Sequence, residues 1–302
     1  MNNLIVRIAE GLGNQLFMYA NAFALSQKIN YKLFIDDESA YFKKKNIEKY
    51  QLHNFNLSSN ICEDKFKFNN YIKDFKRKFL IKSNFLKRKK NFLIEENDKF
   101  KKTKYSNLSN NSFSKVLFVE GHYESEKYFK NYKNQLKLEF TLKNSNFYEK
   151  NKYIELIRNN PNIVSICVRQ NRFSERMNNK FNENNIIASQ NFTKKTIDYI
   201  FRAVTYIDNK FDDMKYLVWS NDFKDLRNYL PENKFIFIEN KENKSLSDFY
   251  LLLNCKNFIV GPTSFHWWPA WLNSNQNSLI LRPKDLNVSN NLDFWPSNWI
   301  SI

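Results

Sequence analysis

Residues 4–25 read LIVRIAEGLGNQLFMYANAFAL, and this stretch sets how the chain begins to fold. The apolar run at 4–8 is typical of a buried strand, the GLGNQ segment interrupts it, and residues 14–29 repeat apolar side chains with the helical period. A second short strand is predicted at 32–35. A strand, a helix and a strand in this order predict a parallel βαβ unit.

The same alternation returns later in the chain. The pattern predicts strands at 116–119, 163–168, 215–219, 235–238, 257–260 and 279–282, and helices at 124–138, 193–208, 245–254 and 264–273. We therefore predict an α/β fold of two doubly wound, Rossmann-like domains that face a cleft, with ligands bound beyond the carboxyl ends of the strands. The predicted domains are 1–155, with an irregular basic insert at about 38–110, and 156–302.

The net charge of the 302-residue chain is +17, and much of it is local. Residues 65–104 hold 15 Lys or Arg against 4 Asp or Glu, an excess of 11, with aromatic residues spaced between them. Three interpretations stay open: a solvated lysine-rich insert, a surface that contacts anionic lipid, or a nucleic-acid-binding segment. No RNP, KH or zinc-finger pattern is present, so we expect no nucleic-acid partner.

The cysteines and the apolar runs bear on localisation. The chain has three cysteines, Cys62, Cys167 and Cys255, which are far apart in the sequence. Because the number is odd and the spacing is wide, a disulfide framework or a zinc knuckle is not expected. The N-terminal apolar run is too short for a signal peptide, and no run is long enough to span a membrane. We expect a cytoplasmic protein, and the lipid interpretation would add peripheral contact with the inner face of the plasma membrane.

The whole chain contains only four glycines, Gly11, Gly13, Gly121 and Gly261, and each follows a predicted strand. Glycine used so sparingly indicates positive φ or close approach of the backbone to a ligand. GLG before a helix is compatible with phosphate bound by backbone N–H groups, and equally with a plain tight turn. It lacks the third glycine of a dinucleotide fingerprint and the GK[ST] of a P-loop, which argues against a dehydrogenase and an NTPase.

Two further places favour anion binding. Arg169 ends strand 163–168 and Arg172 follows it, and a guanidinium can bind phosphate through two parallel hydrogen bonds. The alternative is a surface ion pair. Thr263 and Ser264 stand where a helix begins, so their hydroxyls, the free N–H groups and the helix dipole can hold an anion or simply cap the helix. His266 is a candidate general base, although a lone histidine is more often structural.

Several catalytic patterns are missing from the chain. It has no DxD pair, which a metal-dependent sugar transferase usually needs, and no HExxH or GxSxG. The missing HExxH and GxSxG patterns count against zinc proteases and α/β-hydrolases. We therefore expect no metal site and no cofactor.

Together these segments resemble glycosyltransferase family 11, the α-1,2-fucosyltransferases. EGLGNQLFMYANAFAL at 10–25 is similar to the opening GGLGNQLFQYA motif, and VEGHYESEKYF at 119–129 resembles GYFQSEKYF. CVRQNRF at 167–173 occupies the place of HxRRxD, and VWSND at 218–222 resembles FSDD. DFYLLLNCKNFIVGPTSFHWWPAWLN at 248–273 resembles D-x-Y-L…C…I…NSSFSWWAAWLN. Order and spacing match over nearly the whole chain except the basic middle.

The resemblance implies an inverting, metal-independent transferase of GT-B architecture that moves L-fucose from GDP-fucose to a hydroxyl, O2 of galactose, of a bacterial surface-glycan precursor. It implies that domain 1–155 binds the acceptor and domain 156–302 binds GDP. By analogy, Arg169 would bind the diphosphate, Thr263 and Ser264 its phosphate oxygens, and Asp222 the guanine. The predicted donor-binding set is completed by Gly11, Gly13, Asn14, Gln15, Arg172, Ser220 and Phe265.

The chain also departs from the family pattern. The replaced positions are Cys167 for the motif His, Gln170 for the second Arg, Arg172 for the Asp, Glu124 for Gln and His266 for Ser. Glu124, Glu175 and His266 are therefore the candidates to assist catalysis beside Arg169. Two alternatives stay open: a transferase with another GDP-sugar or linkage, and a non-catalytic GDP- or glycan-binding relative. The expected partners are a nucleotide-sugar donor and an oligosaccharide or lipid-linked acceptor.

Overall fold

The computed structural model describes residues 2–43, 49–95, 102–174, 182–240, 244–287 and 289–302. The chain forms two compact units: unit 1 is Met1–Lys143 with Ser289–Pro296, and unit 2 is Asn144–Val288 with Ser297–Ile302. Each unit is built on one parallel sheet with helices, which confirms the predicted α/β class. Within the described ranges, no helix is both long enough and apolar enough to cross a membrane.

Unit 1 contains a five-stranded sheet. Its elements in chain order are β1 (Asn3–Arg7), α1 (Leu12–Ile29), β2 (Lys32–Asp36), β3 (Asn60–Ile61), α2 (Tyr71–Ser83), β4 (Lys90–Ile94), β5 (Phe113–Glu120) and α3 (Lys133–Glu139). The strands are parallel in the order β3-β2-β1-β5-β4. The order reverses between β1 and β5, so the carboxyl ends of these two strands flank a topological switch point.

The predicted βαβ unit at the N-terminus is confirmed. Helix α1 is buried at almost every position from Leu12 to Ser26, because its apolar residues surround the whole helix and not one stripe of it. The helix ends at Asn30 in the left-handed conformation, which asparagine tolerates well.

The prediction of an irregular insert at about 38–110 was wrong. This part supplies β3, β4 and α2, and β4 lies beside β5 at the edge of the sheet. The elements were hard to recognise because β3 has only two residues and because α2 turns its apolar side chains outward.

The predicted helix 124–138 is instead two 3₁₀ turns followed by α3. The 3₁₀ turns of unit 1 are Leu52–Asn54, Asp64–Phe66, Asn84–Leu86, Leu108–Asn110, Glu126–Tyr128 and Lys130–Tyr132.

Unit 2 contains a six-stranded sheet. Its elements are α4 (Ser145–Tyr148), α5 (Ile154–Asn159), β6 (Ile163–Val168), α6 (Glu183–Asp208), β7 (Lys215–Ser220), α7 (Leu226–Tyr229), β8 (Phe235–Phe237), α8 (Lys244–Asn254), β9 (Asn257–Ile259), α9 (Ser264–Leu272), β10 (Ile280–Arg282) and β11 (Ile300–Ser301). The strands are parallel in the order β11-β10-β9-β6-β7-β8. This is the doubly wound Rossmann order, with its switch point between β6 and β9.

Burial explains why β6 lies at the centre. All six residues of IVSICV are buried, as expected for a parallel strand covered on both faces. The core around it combines β6 with apolar residues of α6, β7, β8, β9 and β10.

The division between the units differs from the predicted boundary at 155/156. It falls at Lys143/Asn144, because α4 and α5 pack on α8 of unit 2. The Tyr148 ring stacks on Tyr250 with centroids 5.4 Å apart, and the Arg158 guanidinium donates to Asn254 at 3.0 Å. Residues 289–296 belong to unit 1, where Asp293 accepts from the Tyr105 backbone N–H at 2.9 Å.

Candidate active site

The switch point of unit 2 brings two sequence-predicted segments together. Strands β6 and β9 are parallel neighbours, with Ile166 opposite Ile259. Arg169 follows β6, and the segment Gly261–Ser264 follows β9, so both lie just beyond the carboxyl ends of adjacent strands. This is where open parallel sheets bind their ligands.

Gly261 is required by the close approach of these two segments. A Cβ added at Gly261 would overlap the backbone carbonyl oxygen of Cys167, a group that cannot rotate away. Only glycine therefore lets the turn after β9 pack directly on the end of β6. The sequence predicted positive φ or approach of the backbone to a ligand at this glycine. The structure shows instead that Gly261 packs on protein backbone, and approach to a ligand stays a prediction.

His266 ties the same turn to β6. It is fully buried, and its Nδ1 accepts from the Gly261 backbone N–H at 3.0 Å. Nε2 therefore carries the proton and donates to Ser165 Oγ at 3.1 Å. Burial lowers the pKa of His266 to about 3, so the ring is neutral at physiological pH. Both ring nitrogens are used inside the protein, and we infer a structural role for His266 in place of the predicted general base.

Helix α9 begins at the same turn. The Thr263 Oγ1 accepts from the His266 backbone N–H at 3.1 Å and is the N-cap. Ser264 is half-buried at the first helical position, and the Phe265 ring lies 5.8 Å from that of Phe249. The partial positive charge of the helix N-terminus thus lies beside the strand end that carries Arg169.

The segments after β6 and β7 are joined by amide side chains. The Gln170 backbone N–H donates to Asn221 Oδ1 at 2.8 Å, and the Asn221 Nδ2 donates back to the Gln170 carbonyl at 3.1 Å. The Asp222 carboxylate accepts from the Lys224 backbone N–H at 2.9 Å and from Asn171 Nδ2 at 3.3 Å. Ser220 Oγ donates to the Asp222 carbonyl at 2.5 Å. Ser220 and Asp222 thus shape this turn, and guanine contact stays a prediction.

Arg172 lies in a separate concavity of unit 2. Its guanidinium carbon is 5.3 Å from the centroid of the Phe192 ring and 5.9 Å from that of Phe173. A cavity of about 350 Å³ is lined here by these three residues together with Ala188, Asn191, Lys195, Asp285, Leu286 and Asn287. The charged residues of this lining are Arg172, Lys195 and Asp285, so the cavity carries one positive charge in excess.

The switch point of unit 1 carries a cluster that the sequence analysis recognised only in part. Glu10 follows β1, while His122 and Glu124 follow β5. The His122 Nε2 lies 3.4 Å from Glu10 Oε1, and Asn14 Nδ2 donates to Glu10 Oε2 at 2.5 Å. Glu95, after β4, accepts from the His122 backbone N–H at 2.7 Å. We call Glu10, Glu95, His122 and Glu124 the unit 1 cluster.

The backbone of this cluster is strained. Seven described residues other than glycine have positive φ, and five of them are Asn or Asp, which tolerate it. The other two are Glu10, with φ 63°, and Tyr123, with φ 51°, and both lie at this switch point. Each such conformation costs about 1–3 kcal/mol and is typical of functional sites. Gly121, with φ 139°, completes the turn, where an added Cβ would overlap Glu95.

The charges of the unit 1 cluster are coupled. Burial raises the pKa of Glu124, and the nearby His122 charge opposes that rise only in part. Burial alone would lower the pKa of His122, but the Glu10 hydrogen bond and the charges of Glu124, Glu10 and Glu95 raise it to about 9. His122 is therefore protonated at neutral pH and lies among three carboxyl groups.

The opening GLGNQ segment has mixed roles. Gln15 is fully buried and its amide donates to the Glu10 carbonyl at 2.6 Å and to the Lys49 carbonyl at 2.9 Å, so it holds the loop at 49–51. Gly13 lies inside α1, where it is buried. Gly11 has φ −81°, and an added Cβ there would meet no described atom within 4 Å. Gly11 therefore needs neither positive φ nor space against protein. It is the N-cap of α1, a position that favours glycine, so a plain turn and the approach of a ligand both stay open as its reason.

The structure thus groups the predicted residues at two places. Arg169, Thr263, Ser264 and Phe265 lie at the unit 2 switch point, and Asn14 and Glu124 lie at that of unit 1. Glu175 lies outside the described residues. Glu10, Glu95 and His122 were missed. The one available signal was that Glu10 and His122 depart from the GGLGNQ and GYFQ motifs.

Within the described ranges, no group of His, Cys, Asp and Glu is placed to hold a metal ion, and metal independence stays a prediction.

Comparison with known sequences decides the family. The sequence model of glycosyl transferase family 11 matches residues 2–302. The chain belongs to glycosyl transferase family 11. The Escherichia coli alpha-1,2-colitosyltransferase is 27% identical over 314 residues that cover 100% of this chain and 99% of that one. The Escherichia coli O-antigen biosynthesis glycosyltransferase WbnK is 24% identical over 98% of this chain and 99% of its own.

Solved structures agree with the fold of this family 11 chain. Fucosyltransferase NodZ from Bradyrhizobium superposes with a TM-score of 0.51 and 13% identity over 90% of this chain and 93% of that chain. An Arabidopsis thaliana FUT1 variant in complex with GDP gives a TM-score of 0.50 and 12% identity over 96% of this chain and 72% of that chain. The chain is a glycosyltransferase with a fucosyltransferase-like, GT-B-type fold.

Proposed function

We propose that this family 11 glycosyltransferase moves L-fucose from GDP-fucose to O2 of a galactose in a bacterial surface-glycan precursor, with inversion and without a metal ion. The observation that carries the proposal is the packing of Gly261 on the Cys167 carbonyl, because it sets the α9 N-terminus beside the strand end that bears Arg169. A cation and a helix N-terminus at a Rossmann switch point fit the diphosphate of a nucleotide sugar.

Support for donor and acceptor comes from two directions. NodZ, which has the same fold, was crystallised and soaked with GDP-fucose. The two Escherichia coli relatives act in alpha-1,2-colitosyl transfer and in O-antigen biosynthesis, which supports a 1,2-linkage to an oligosaccharide or lipid-linked acceptor.

A second donor is favoured by the colitosyltransferase relative. It is 27% identical and matches the full length of both chains, so a GDP-linked colitosyl group is the alternative to fucose. The two sugars are distinguished by supplying each GDP-sugar with the same acceptor and comparing kcat/KM. A higher value with colitose would replace the fucosyl proposal and keep the rest of the account.

The proposed reaction is a single displacement. The acceptor hydroxyl oxygen forms a bond to the anomeric carbon while the bond from that carbon to the diphosphate oxygen breaks, and its electron pair stays on the leaving GDP. Arg169 and the α9 N–H groups stabilise the negative charge that grows on the β-phosphate. Such a charge-assisted hydrogen bond contributes roughly 1.5–3 kcal/mol.

We assign the hydroxyl proton to Glu124. This carboxyl lies at the carboxyl end of β5 in the strained unit 1 cluster, and its raised pKa makes it a better proton acceptor than an ordinary glutamate. Arg172 stands in the place of the motif Asp, and Glu124 is one of the residues predicted to assist catalysis instead. Glu124→Gln should lower kcat by about 10²–10⁴-fold and leave the GDP dissociation constant unchanged.

The control for Glu124 is Glu126→Gln, two residues along the same segment. Its carboxyl belongs to the 3₁₀ turn after the cluster, and we expect wild-type kcat. Turnover of Glu124→Gln at the wild-type rate would remove Glu124 as the base.

The function as a whole is tested by transfer to a galactoside acceptor with and without EDTA. We expect a product whose NMR spectrum shows a new 1,2-linkage with inverted anomeric configuration, at the same rate in EDTA. Loss of turnover in EDTA that added Mg²⁺ or Mn²⁺ restores would overturn metal independence. GDP binding without transfer to any galactoside would favour the non-catalytic alternative.

A further inference from the structure

Helix α2 has its polar and apolar faces inverted relative to a helix that packs on a core. Its inner side carries Asp74 and Arg77. Asp74 is buried and receives Lys43 Nζ at 2.6 Å and an Arg77 Nη at 3.1 Å. Arg77 also donates from Nε to Glu120 Oε1 at 2.7 Å and forms a second bond to the same carboxylate. The helix is therefore attached to unit 1 by ion pairs.

The opposite side of α2 is apolar and faces solvent. Tyr71, Phe75 and Phe79 are four residues apart, so they share one face, and Ile72 lies beside them. The exposed fraction of these side chains ranges from 66% at Phe79 to 84% at Ile72. Phe85 and Leu86, in the 3₁₀ turn Asn84–Leu86 that follows, are each 75% exposed. We call these six residues the α2 stripe.

Basic side chains border the α2 stripe. Lys76, Lys78 and Lys82 are exposed on α2, each three or four residues from a member of the stripe. Arg88 and Lys89 are exposed just beyond it. An apolar face bordered by lysines is the pattern of a helix that lies in a membrane interface, with rings among the acyl chains and ammonium groups at anionic headgroups.

We propose that the α2 stripe is a membrane-docking surface for anionic phospholipid. An exposed apolar patch of this extent requires an explanation in a protein that is otherwise folded around two cores. A second copy of the chain fits the site less well, because a symmetric contact would set each basic border against its own copy. Docking through α2 would hold the enzyme where a lipid-linked acceptor is found, and that consequence alone rests on the proposed function.

The test is flotation of the purified full chain with vesicles, which needs neither donor nor acceptor. We expect binding to phosphatidylcholine vesicles with about 30% phosphatidylglycerol, and far weaker binding to phosphatidylcholine alone. Ile72→Ser/Phe75→Ser/Phe79→Ser should lower the vesicle partition coefficient at least about tenfold. The matched control Leu138→Ser/Phe211→Ser/Tyr229→Ser removes three exposed apolar side chains elsewhere and should bind as wild type.

A second pair of variants separates the charge contribution. Lys76→Gln/Lys82→Gln/Lys89→Gln should weaken binding by about fivefold per lysine at low salt. Lys78 is left unchanged because its Nζ lies 3.7 Å from the buried Asp74 carboxylate that attaches α2. Lys115→Gln/Lys150→Gln/Lys194→Gln removes the same net charge from exposed positions elsewhere and should have a much smaller effect. Both α2 variants should melt as wild type does and turn over a soluble acceptor at the wild-type rate.

Three outcomes would overturn the proposal. One is wild-type protein that fails to float with anionic vesicles at low salt. Another is binding by the Ile72/Phe75/Phe79 variant equal to wild type, which would mean that the overall charge of +17 attracts the protein without the stripe. The third is a change confined to the oligomeric state of that variant, measured by light scattering, which would make a second copy the occupant. In each case, sugar transfer to a soluble acceptor at the wild-type rate would show that the proposed function holds although the docking proposal fails.

Discussion

Gly261 and Gly11 form a matched pair for substitution. An alanine at Gly261 would overlap the Cys167 carbonyl oxygen, whereas at Gly11 it would meet no described atom within 4 Å. Gly261→Ala should therefore lower the free energy of unfolding by about 1–3 kcal/mol and weaken GDP binding, since the turn has to move away from β6. Gly11→Ala meets no such overlap and changes only the N-cap residue of α1, so it should cost less than about 1 kcal/mol and less than Gly261→Ala. Urea denaturation measures both, and equal losses would contradict this view of the turn.

Half-buried His122 and fully buried His266 should give the free energy of unfolding opposite pH dependences. The pKa of His122 rises to about 9 in the folded protein, so its stabilisation is complete below the unfolded value of about 6.5 and is lost as pH rises to 9. The pKa of His266 falls to about 3, so its stabilisation is present above about 6.5 and is lost as pH falls. Each histidine changes the free energy of unfolding by at most about 1.4 kcal/mol per pH unit.

The measurement for these histidines is urea denaturation between about pH 5 and pH 9. His122→Gln should flatten the alkaline limb of the stability profile only. His266→Ser, which introduces the residue of the family motif, should flatten the acid limb only. Parallel profiles for wild type and either variant would show that the histidine does not titrate as its surroundings indicate.

At this scale, the sequence predicted which residues lie together at the unit 2 switch point better than it predicted the unit 1 cluster, and ligand binding at both places stays a proposal. Arg169, Thr263 and Ser264 each stand at a local signal, a strand end or a helix start, so their nearness follows from a parallel sheet. Glu10, Glu95 and His122 come from the ends of three different strands, and one of these, β4, was not predicted. Their grouping depends on strand order, which local patterns do not contain.

Among the elements, α9 allows capping and ligand binding to be separated. Thr263 Oγ1 caps the helix through the His266 N–H, so Thr263→Ala should lower the free energy of unfolding by about 1 kcal/mol. Ser264 is the first helical residue and is not the cap, so Ser264→Ala should lower the free energy of unfolding less than Thr263→Ala does but weaken GDP binding about tenfold or more. Calorimetric GDP titration with urea denaturation measures both. A Ser264→Ala variant with wild-type GDP affinity would remove this helix start from the phosphate site.

The secondary structure of unit 2 was largely predictable from periodicity. Strand 163–168 agrees residue for residue with β6, and the other predicted strands agree within a residue or two at their ends. Helix α6 begins at Glu183, earlier than the predicted start at 193, with Asn182 as its cap. Helix α2 was missed because the usual signal, apolar residues that face the core, is reversed there.

For the whole molecule, alternation of strands and helices was enough to predict two parallel α/β units, because each such run has to bury a sheet under helices. The boundary was not predictable. Residues 289–296 belong to unit 1 because of contacts between residues that are far apart in the sequence. One example is the pair of rings of Phe17 and Phe294, whose centroids are 6.1 Å apart. The assignment of acceptor to unit 1 and GDP to unit 2 stays part of the proposal.

The central claim is that Arg169 and the α9 N-terminus bind the diphosphate of a GDP-sugar. The most direct test is thermal unfolding of wild type and Arg169→Ala with GDP, GDP-fucose, UDP or CDP, each with and without EDTA. A ligand at about 100 times its dissociation constant stabilises by about 2.7 kcal/mol. We predict that GDP and GDP-fucose alone raise the wild-type melting temperature, equally in EDTA, and leave that of Arg169→Ala unchanged. Stabilisation by UDP or CDP, or an equal shift of Arg169→Ala by GDP, would contradict the account.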